Sequence, residues 1–251
     1  MKNFGALIIG DEILSGKRQD GHFQNTVKTL AQRGLELKWC RIIGDDPAFI
    51  IDTLRQTYAS GDIVFSFGGI GATPDDHTRL CAAKAAEVPF TRHPDAVAEI
   101  EARFGAEAYP RRILMADLPQ GSRIIPNPYN RVPGFSFNHH HFLPGFPQMA
   151  WPMMEWVLDT HYPEMRNLTP DIEEIITVHD TLESVLLDVM NELVQRYPEV
   201  RFSSLPHIGE GDKRQLELGV KGENLKVGEA MLWLKQQIEH MNLLWTDATP
   251  R

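Results

Sequence analysis

The stretch Ser66-Phe67-Gly68-Gly69-Ile70-Gly71-Ala72-Thr73-Pro74-Asp75-Asp76-His77-Thr78 constrains this chain more than any other. Residues 62–65 before it form a short apolar run bounded by turn formers and read as a buried strand. Residues 78–87 after it are rich in Ala and Leu and read as a helix. The order is therefore strand, glycine loop, helix. Three glycines in four positions allow positive φ and let a ligand approach the main chain closely. Thr73 suits an N-cap, Pro74 suits the first helical position, and Asp76 stands three residues after the cap. The spacing thus predicts a capping box and a helix running from this point. Free amides at such a helix start attract anions.

Two familiar nucleotide motifs are excluded. A P-loop needs Gly-Lys-[Ser/Thr] at the helix start, where this chain is acidic. A Gly-x-Gly-x-x-Gly fingerprint needs glycine at 73 or 74, and those positions hold Thr73 and Pro74. Asp75 and Asp76 beside a phosphate would repel it unless a divalent cation stood between, or they would face an amine or hydroxyl of the ligand. The plainer alternative is that the acids only cap the helix and the glycines only make the turn.

The rest of the first half repeats the strand–helix theme. Residues 4–9 are an apolar run ending at Gly10 and read as the first buried strand. Gly10-Asp11-Glu12-Ile13-Leu14-Ser15-Gly16 follows as a loop at the strand's carboxyl end, where ligands collect in open parallel sheets. Residues 20–33 have helical spacing and stop at Gly34; residues 35–43 alternate like a strand. A helix through residue 58 opens at Pro47. Three strand–helix units predict a doubly wound, mostly parallel α/β sheet.

Further on, residues 95–104 read as a helix, 123–127 as a short strand, and 131–137 with 138–143 as a strand pair. The turn Pro144-Gly145-Phe146-Pro147 leads into a helix over 148–162 whose Trp and Met residues suit a core or an oligomer contact. Residues 163–170 read as a linker. Beyond it, strand 172–178, helix 182–196, strands 200–204 and 213–220, and helix 224–243 make a small α+β unit. The division is thus 1–165 and 171–246.

Composition narrows the partners. With 34 acidic against 25 basic residues, net charge −9, nucleic acid and anionic membranes are poor partners. Two cysteines, no signal pattern and no apolar run of spanning length point to a reduced, cytoplasmic setting. His139-His140-His141 invites a metal reading. In a strand, His139 and His141 would share one face and His140 the other, without the Cys or carboxylate spacing of a zinc site, so a structural or surface role is expected. His22 and His77 lie next to the presumed pocket, His77 facing solvent.

These motifs, in this order, resemble the molybdopterin-binding fold of MoaB and MogA, and more closely the N-terminal half of competence/damage-inducible protein CinA. The resemblance rests on residues 10–16, on Asp20-Gly21-His22, on residues 68–78, on Pro133-Gly134-Phe135 and on Leu143-Pro144-Gly145-Phe146-Pro147. It covers about residues 4–160. Asp11 stands where that family usually has Thr, His22 where it has Asn, and Ala72 where it has Pro. The amidohydrolase domain of CinA is absent, so its activity does not transfer.

The resemblance implies a phosphorylated pterin or nucleotide held by Gly10, Asp11, Glu12, Asp20, His22, Ser66, Gly68, Gly69, Gly71, Thr73, Thr78, Pro144 and Gly145. Molybdopterin is one such ligand. Asp76 and Asp75 would be catalytic in the alternative reading, a divalent-metal-dependent pyrophosphatase acting on ADP-ribose or FAD. There Glu12, Asp75 and Asp76, with Asp20 nearby, would hold Mg²⁺, Mn²⁺ or Co²⁺. A scaffold without chemistry is the third reading. Relatives' assembly implies a homo-oligomer, a dimer or trimer.

Overall fold

A computed structural model describes residues 2–208 and 214–248. The chain divides into two compact units, Met1–Asn167 and Leu168–Arg251. The first is built on a six-stranded sheet ordered β2-β1-β3-β8-β7-β6. Its parallel part comprises β2 (Leu37–Ile43), β1 (Phe4–Ile9), β3 (Ile63–Phe67) and β8 (His140–Leu143). Two antiparallel strands, β7 (Gly134–Phe137) and β6 (Arg123–Ile125), extend one edge.

Alternation along the strands divides the core between the two faces of the sheet. Leu7 and Ile9 of β1 join Val64 and Phe142 on one side. Phe4, Ala6 and Ile8 join Phe65, Phe67 and Leu143 on the other. Strands buried on both faces require apolar residues at every position, which is why β1 and β3 carry unbroken apolar runs. Helices α3 (Pro47–Ser60) and α4 (Thr78–Ala85) supply Ile50, Leu54, Cys81 and Ala82 to the first face. Helices α2 (His22–Ala31) and α6 (Pro147–His161) cover the second. Trp151 and Trp156 pack against this core, so the apolar girth of α6 is used within the unit. The chain leaves β1 towards β2 on one side and returns to β3 on the other. This reversal opens a crevice at the carboxyl ends of β1 and β3.

The second unit is a four-stranded antiparallel sheet, ordered β10 (Arg201–Ile208), β11 (Arg214–Gly222), β9 (Ile172–His179), β12 (Trp245–Ala248). Two helices, α7 (Leu187–Arg196) and α8 (Asn224–His240), contribute Leu193, Val227 and Leu234 to its core. Strand β12 was missing from the sequence expectation, and α7 begins at Leu187 after a 3₁₀ turn over Glu183–Val185. Lys213, the expected start of a strand, lies outside the described residues.

Three local differences bear on function. Residues 11–14 form a single helical turn, α1 (Asp11–Leu14), rather than an open loop. Helix α4 starts at Thr78, as read for residues 78–87, but Thr73 is not its cap, because Thr78 spends its amide on the Gly69 carbonyl at 3.0 Å. Only half of the capping box forms: the Asp76 carboxylate accepts from the Thr73 amide at 2.8 Å and from the Thr73 hydroxyl, closing a tight turn. Finally, Asn138 and His139 have φ of 47° and 61° and form the two-residue turn of a hairpin pairing Phe137 with His140. His139 therefore belongs to no strand face. His140 and His141 occupy opposite faces of β8 and are almost wholly buried.

Among the described residues, no helix is long and apolar enough to cross a membrane. Five elements fill residues 90–119: β4 (Phe90–Arg92) pairs with β5 (Asp117–Pro119), and α5 (Pro94–Phe104) precedes 3₁₀ turns at Gly105–Ala108 and Arg112–Ala116. Phe104, Arg112 and Met115 from this segment form one wall of the site.

Candidate functional site

The crevice at the ends of β1, β3 and β8 is a cleft of about 500 Å³. Its floor is main chain: Gly10 after β1, Gly68 to Ala72 after β3, and Pro144 with Gly145 after β8. The glycines are dictated by space. Gly68 has φ of 103°, and a Cβ there would strike the Ile9 carbonyl oxygen. Gly69 has φ of 66°, and a Cβ there would strike the Thr78 hydroxyl.

The glycine loop is polarised. Thr78 donates its hydroxyl to the Gly68 carbonyl at 3.1 Å and its amide to the Gly69 carbonyl at 3.0 Å. Arg79 donates to the Gly71 carbonyl at 2.6 Å. In a trans peptide the N–H points opposite to the C=O. Anchoring these three carbonyls on the start of α4 therefore turns the amides of Gly69, Ile70 and Ala72 the other way. Among the described residues, none of the three donates to a protein acceptor.

Around the floor stand side chains of both signs. Glu12, Asp45, Asp75 and Asp76 supply carboxylates; Arg18 and Arg112 supply cations. Arg18 leans over the Phe146 ring at 5.8 Å and Arg112 over the Phe104 ring at 4.6 Å. Phe104, Met115, Val132, Phe146 and Met149 make the remaining wall apolar. Burial pushes the Asp45 carboxyl pKa up and the charges of Asp11, Glu12 and Asp75 add to the rise, while the Asp11 amide opposes it. Asp45 and Asp11 hold each other: the Asp11 amide donates to the Asp45 carboxylate at 2.8 Å, and the Asp45 amide to the Asp11 carboxylate at 3.2 Å.

Of the residues expected at the site, Gly10, Glu12, Gly68, Gly69, Gly71, Thr73, Asp75, Asp76, Pro144 and Gly145 line the cleft. Five serve from outside its lining. Asp11 latches the neighbouring loop, and Asp20 caps α2 by accepting from the amides of His22 and Phe23 at 2.9 and 3.0 Å. Ser66 and Thr78 are fully buried. His22 is buried too, stacked on Phe67 with centroids 4.4 Å apart. The Trp151 indole donates to His22 Nδ1 at 3.3 Å, so the proton sits on Nε2, which faces the Gly145 carbonyl at 3.2 Å. Burial lowers the His22 pKa, favouring this neutral form.

Glu12, Asp75 and Asp76, the acids expected to hold a metal, all line the cleft; among the described residues no three His, Cys, Asp or Glu side chains form a ready-made group of metal ligands. Sequence reasoning missed Arg18, Asp45 and Arg112, together with the wall from Phe104 to Met115 and the Asn127–Val132 turn. Only the clustered Pro and Asn of residues 126–130 signalled a shaped loop there.

Residues 5–167 match the family model described as "probable molybdopterin binding domain". The chain belongs to the molybdopterin-binding domain family. A CinA-like protein of Syntrophotalea carbinolica is 32% identical over 184 residues, covering 70% of this chain and 45% of that protein. The chain thus spans under half the length of that CinA-like relative. A protein of Caldivirga maquilingensis is 27% identical over 246 residues, covering 94% of this chain and 93% of its own length. Among solved structures, protein CinA of unknown function from Thermoplasma acidophilum aligns with a TM-score of 0.58 at 28% identity, over 63% of this chain and 98% of that one. The molybdopterin-binding domain and the unit that carries the cleft are therefore the same stretch of chain.

Proposed function

We propose that the cleft binds a phosphorylated small molecule, a pterin or a nucleotide, with its phosphate on the amides of Gly69, Ile70 and Ala72. The observation that carries this reading is the polarised loop, whose carbonyls are spent on α4 and whose amides lack a protein acceptor. Phosphate oxygens are strong acceptors for such a nest of amides. Arg18 and Arg112 add positive charge at the rim, and the Phe104–Met115–Phe146–Met149 end suits a flat heteroaromatic ring. The cleft volume is that of a small-molecule site. Glu12, Asp45, Asp75 and Asp76 would face ligand hydroxyls and ring N–H groups.

Hydrolysis of a nucleotide pyrophosphate is the second reading, favoured by those four carboxylates beside a phosphate nest. Loop amides would then stabilise charge developing on the phosphate oxygens. Hydrolysis would need a cation held between these acids and the phosphate, whereas the loop amides support binding by themselves, so binding stands ahead of hydrolysis.

Titration of ¹⁵N-labelled protein with AMP, ADP-ribose, FAD and a pterin phosphate tests both. The amides of Gly69, Ile70 and Ala72 are expected to shift most, in proportion to saturation. Saturable binding that leaves those three amides unmoved would remove the proposal. Product release from ADP-ribose or FAD with Mg²⁺, Mn²⁺ or Co²⁺, absent in Asp76→Ala, would promote the hydrolytic reading.

A further inference from the structure

Arg79 has no part in the sequence motifs, yet its guanidinium lies at the centre of the site's support. It stands in the first turn of α4 and is only 8% exposed. One Nη donates to the Leu114 carbonyl at 2.5 Å and to the Asp117 carbonyl at 2.9 Å, the other to the Gly71 carbonyl at 2.6 Å. Leu114 and Asp117 bracket Met115 and follow Arg112, two residues of the opposite wall. A single planar fork therefore ties the glycine loop to that wall.

The charge on this fork is the unusual part. Among the described residues, Arg79 forms no salt bridge, and its Nε is buried without a partner. The nearby Asp117 carboxylate is taken by Arg92 at 2.5 and 3.1 Å. Burial disfavours the Arg79 cation, and the more distant charges of Asp117 and Asp76 act against that. A guanidinium does not give up its proton in a protein, so the cation remains, answered by carbonyl dipoles and by the Phe90 ring at 5.8 Å. Buried ions ordinarily have a partner of opposite charge in contact. Gly71 and Ala72 line the cleft, so their peptide lies between this cation and the ligand space.

We propose that Arg79 is a positioning residue that sets the cleft's affinity for anions from behind the loop. It pins the Gly71 carbonyl so that the Ala72 amide faces the ligand, and its buried charge is completed by the ligand's phosphate. The inference rests on the phosphate reading above and assigns the ligand a phosphate ester rather than a neutral heterocycle as the recognised group.

The test compares AMP with adenosine, by calorimetry at low and high salt, on the full chain, Arg79→Gln, Arg79→Lys and Arg112→Gln. Arg79→Gln is expected to weaken AMP binding by about tenfold or more, the scale of a hydrogen-bonded buried charge, and to leave adenosine unchanged. Its loss persists in high salt because a buried charge is poorly screened, whereas the smaller loss in Arg112→Gln fades there. Arg79→Lys keeps the charge without the fork and falls between, and it carries the test should Arg79→Gln fail to fold. Unchanged AMP affinity in both Arg79 variants, or AMP and adenosine weakening in parallel, would overturn the proposal and leave the phosphate reading standing. A wild-type chain that binds adenosine as tightly as AMP would sink both.

Discussion

The glycine loop and the histidine run lie on neighbouring strands, β3 and β8, and they teach opposite lessons about where chemistry resides. Histidine is the side chain most often recruited for metal or proton work, yet here its ring nitrogens are consumed inside the fold. His140 Nδ1 donates to the Asn138 carbonyl at 3.0 Å, leaving Nε2 to accept from the Thr57 hydroxyl at 2.8 Å. His141 meets the Ser136 hydroxyl and the Tyr162 hydroxyl, both at 2.8 Å. The loop has no reactive side chain in its first five residues, but its amides are left open. Availability, rather than residue type, separates the candidate site from the core.

The comparison breaks most sharply at Gly68. Gly68→Ala forces a Cβ onto the Ile9 carbonyl in a left-handed backbone, and is expected to cost about 3 kcal/mol and to abolish nucleotide binding. Denaturant unfolding and calorimetry read the two losses. Gly145→Ala makes the counter-case, since its Cβ would lie 3.5 Å from Gly68 Cα, an ordinary contact; a change within about 1 kcal/mol is expected.

Acid should strike the histidines instead. Burial above all drives the His140 pKa from its ordinary 6.5 down to about 4, and drives His141 well below 6.5. The unfolded chain therefore binds more protons than the folded one between those values. The neutral rings' contribution is full above pH 6.5 and is lost as pH falls towards 4, about 3 kcal/mol from His140 alone. Urea midpoints across that range, with His140→Leu as the flattened control, measure it.

His141→Ala leaves the buried Ser136 hydroxyl and the half-buried Tyr162 hydroxyl short of a partner and should cost about 2–3 kcal/mol while sparing ligand affinity. A large loss of binding in that variant would show that the two regions are coupled. At the small end, Arg112→Ala removes a half-exposed rim charge, and a salt-sensitive weakening of about two- to threefold is expected by titration calorimetry.

Much of this was legible in the sequence, for identifiable reasons. Continuous apolar runs fixed β1 and β3, and glycine spacing fixed the floor of the cleft. The helix read over residues 78–87 does begin at Thr78, but the cap read at Thr73 belongs to a turn before it, because cap residues also build turns and the Gly69 carbonyl had claimed the Thr78 amide. His139 was misplaced because a two-residue turn can hide inside an apparent strand when its residues tolerate positive φ. The walls supplied by Phe104, Arg112 and Met115 lie on short 3₁₀ pieces with no periodicity to detect. Arg79 gave no signal, because its partners are carbonyls, which every residue carries.

The reciprocal clasp between Asp11 and Asp45 gives the first and second crossovers a shared fate. Each acid is both the donor's host and the acceptor's guest, so neither loop can be redesigned by itself. A shorter threonine at position 11 would keep the amide that donates to Asp45 but would offer the Asp45 amide a hydroxyl in place of a carboxylate. A library built to retune this rim should therefore randomise the two positions together.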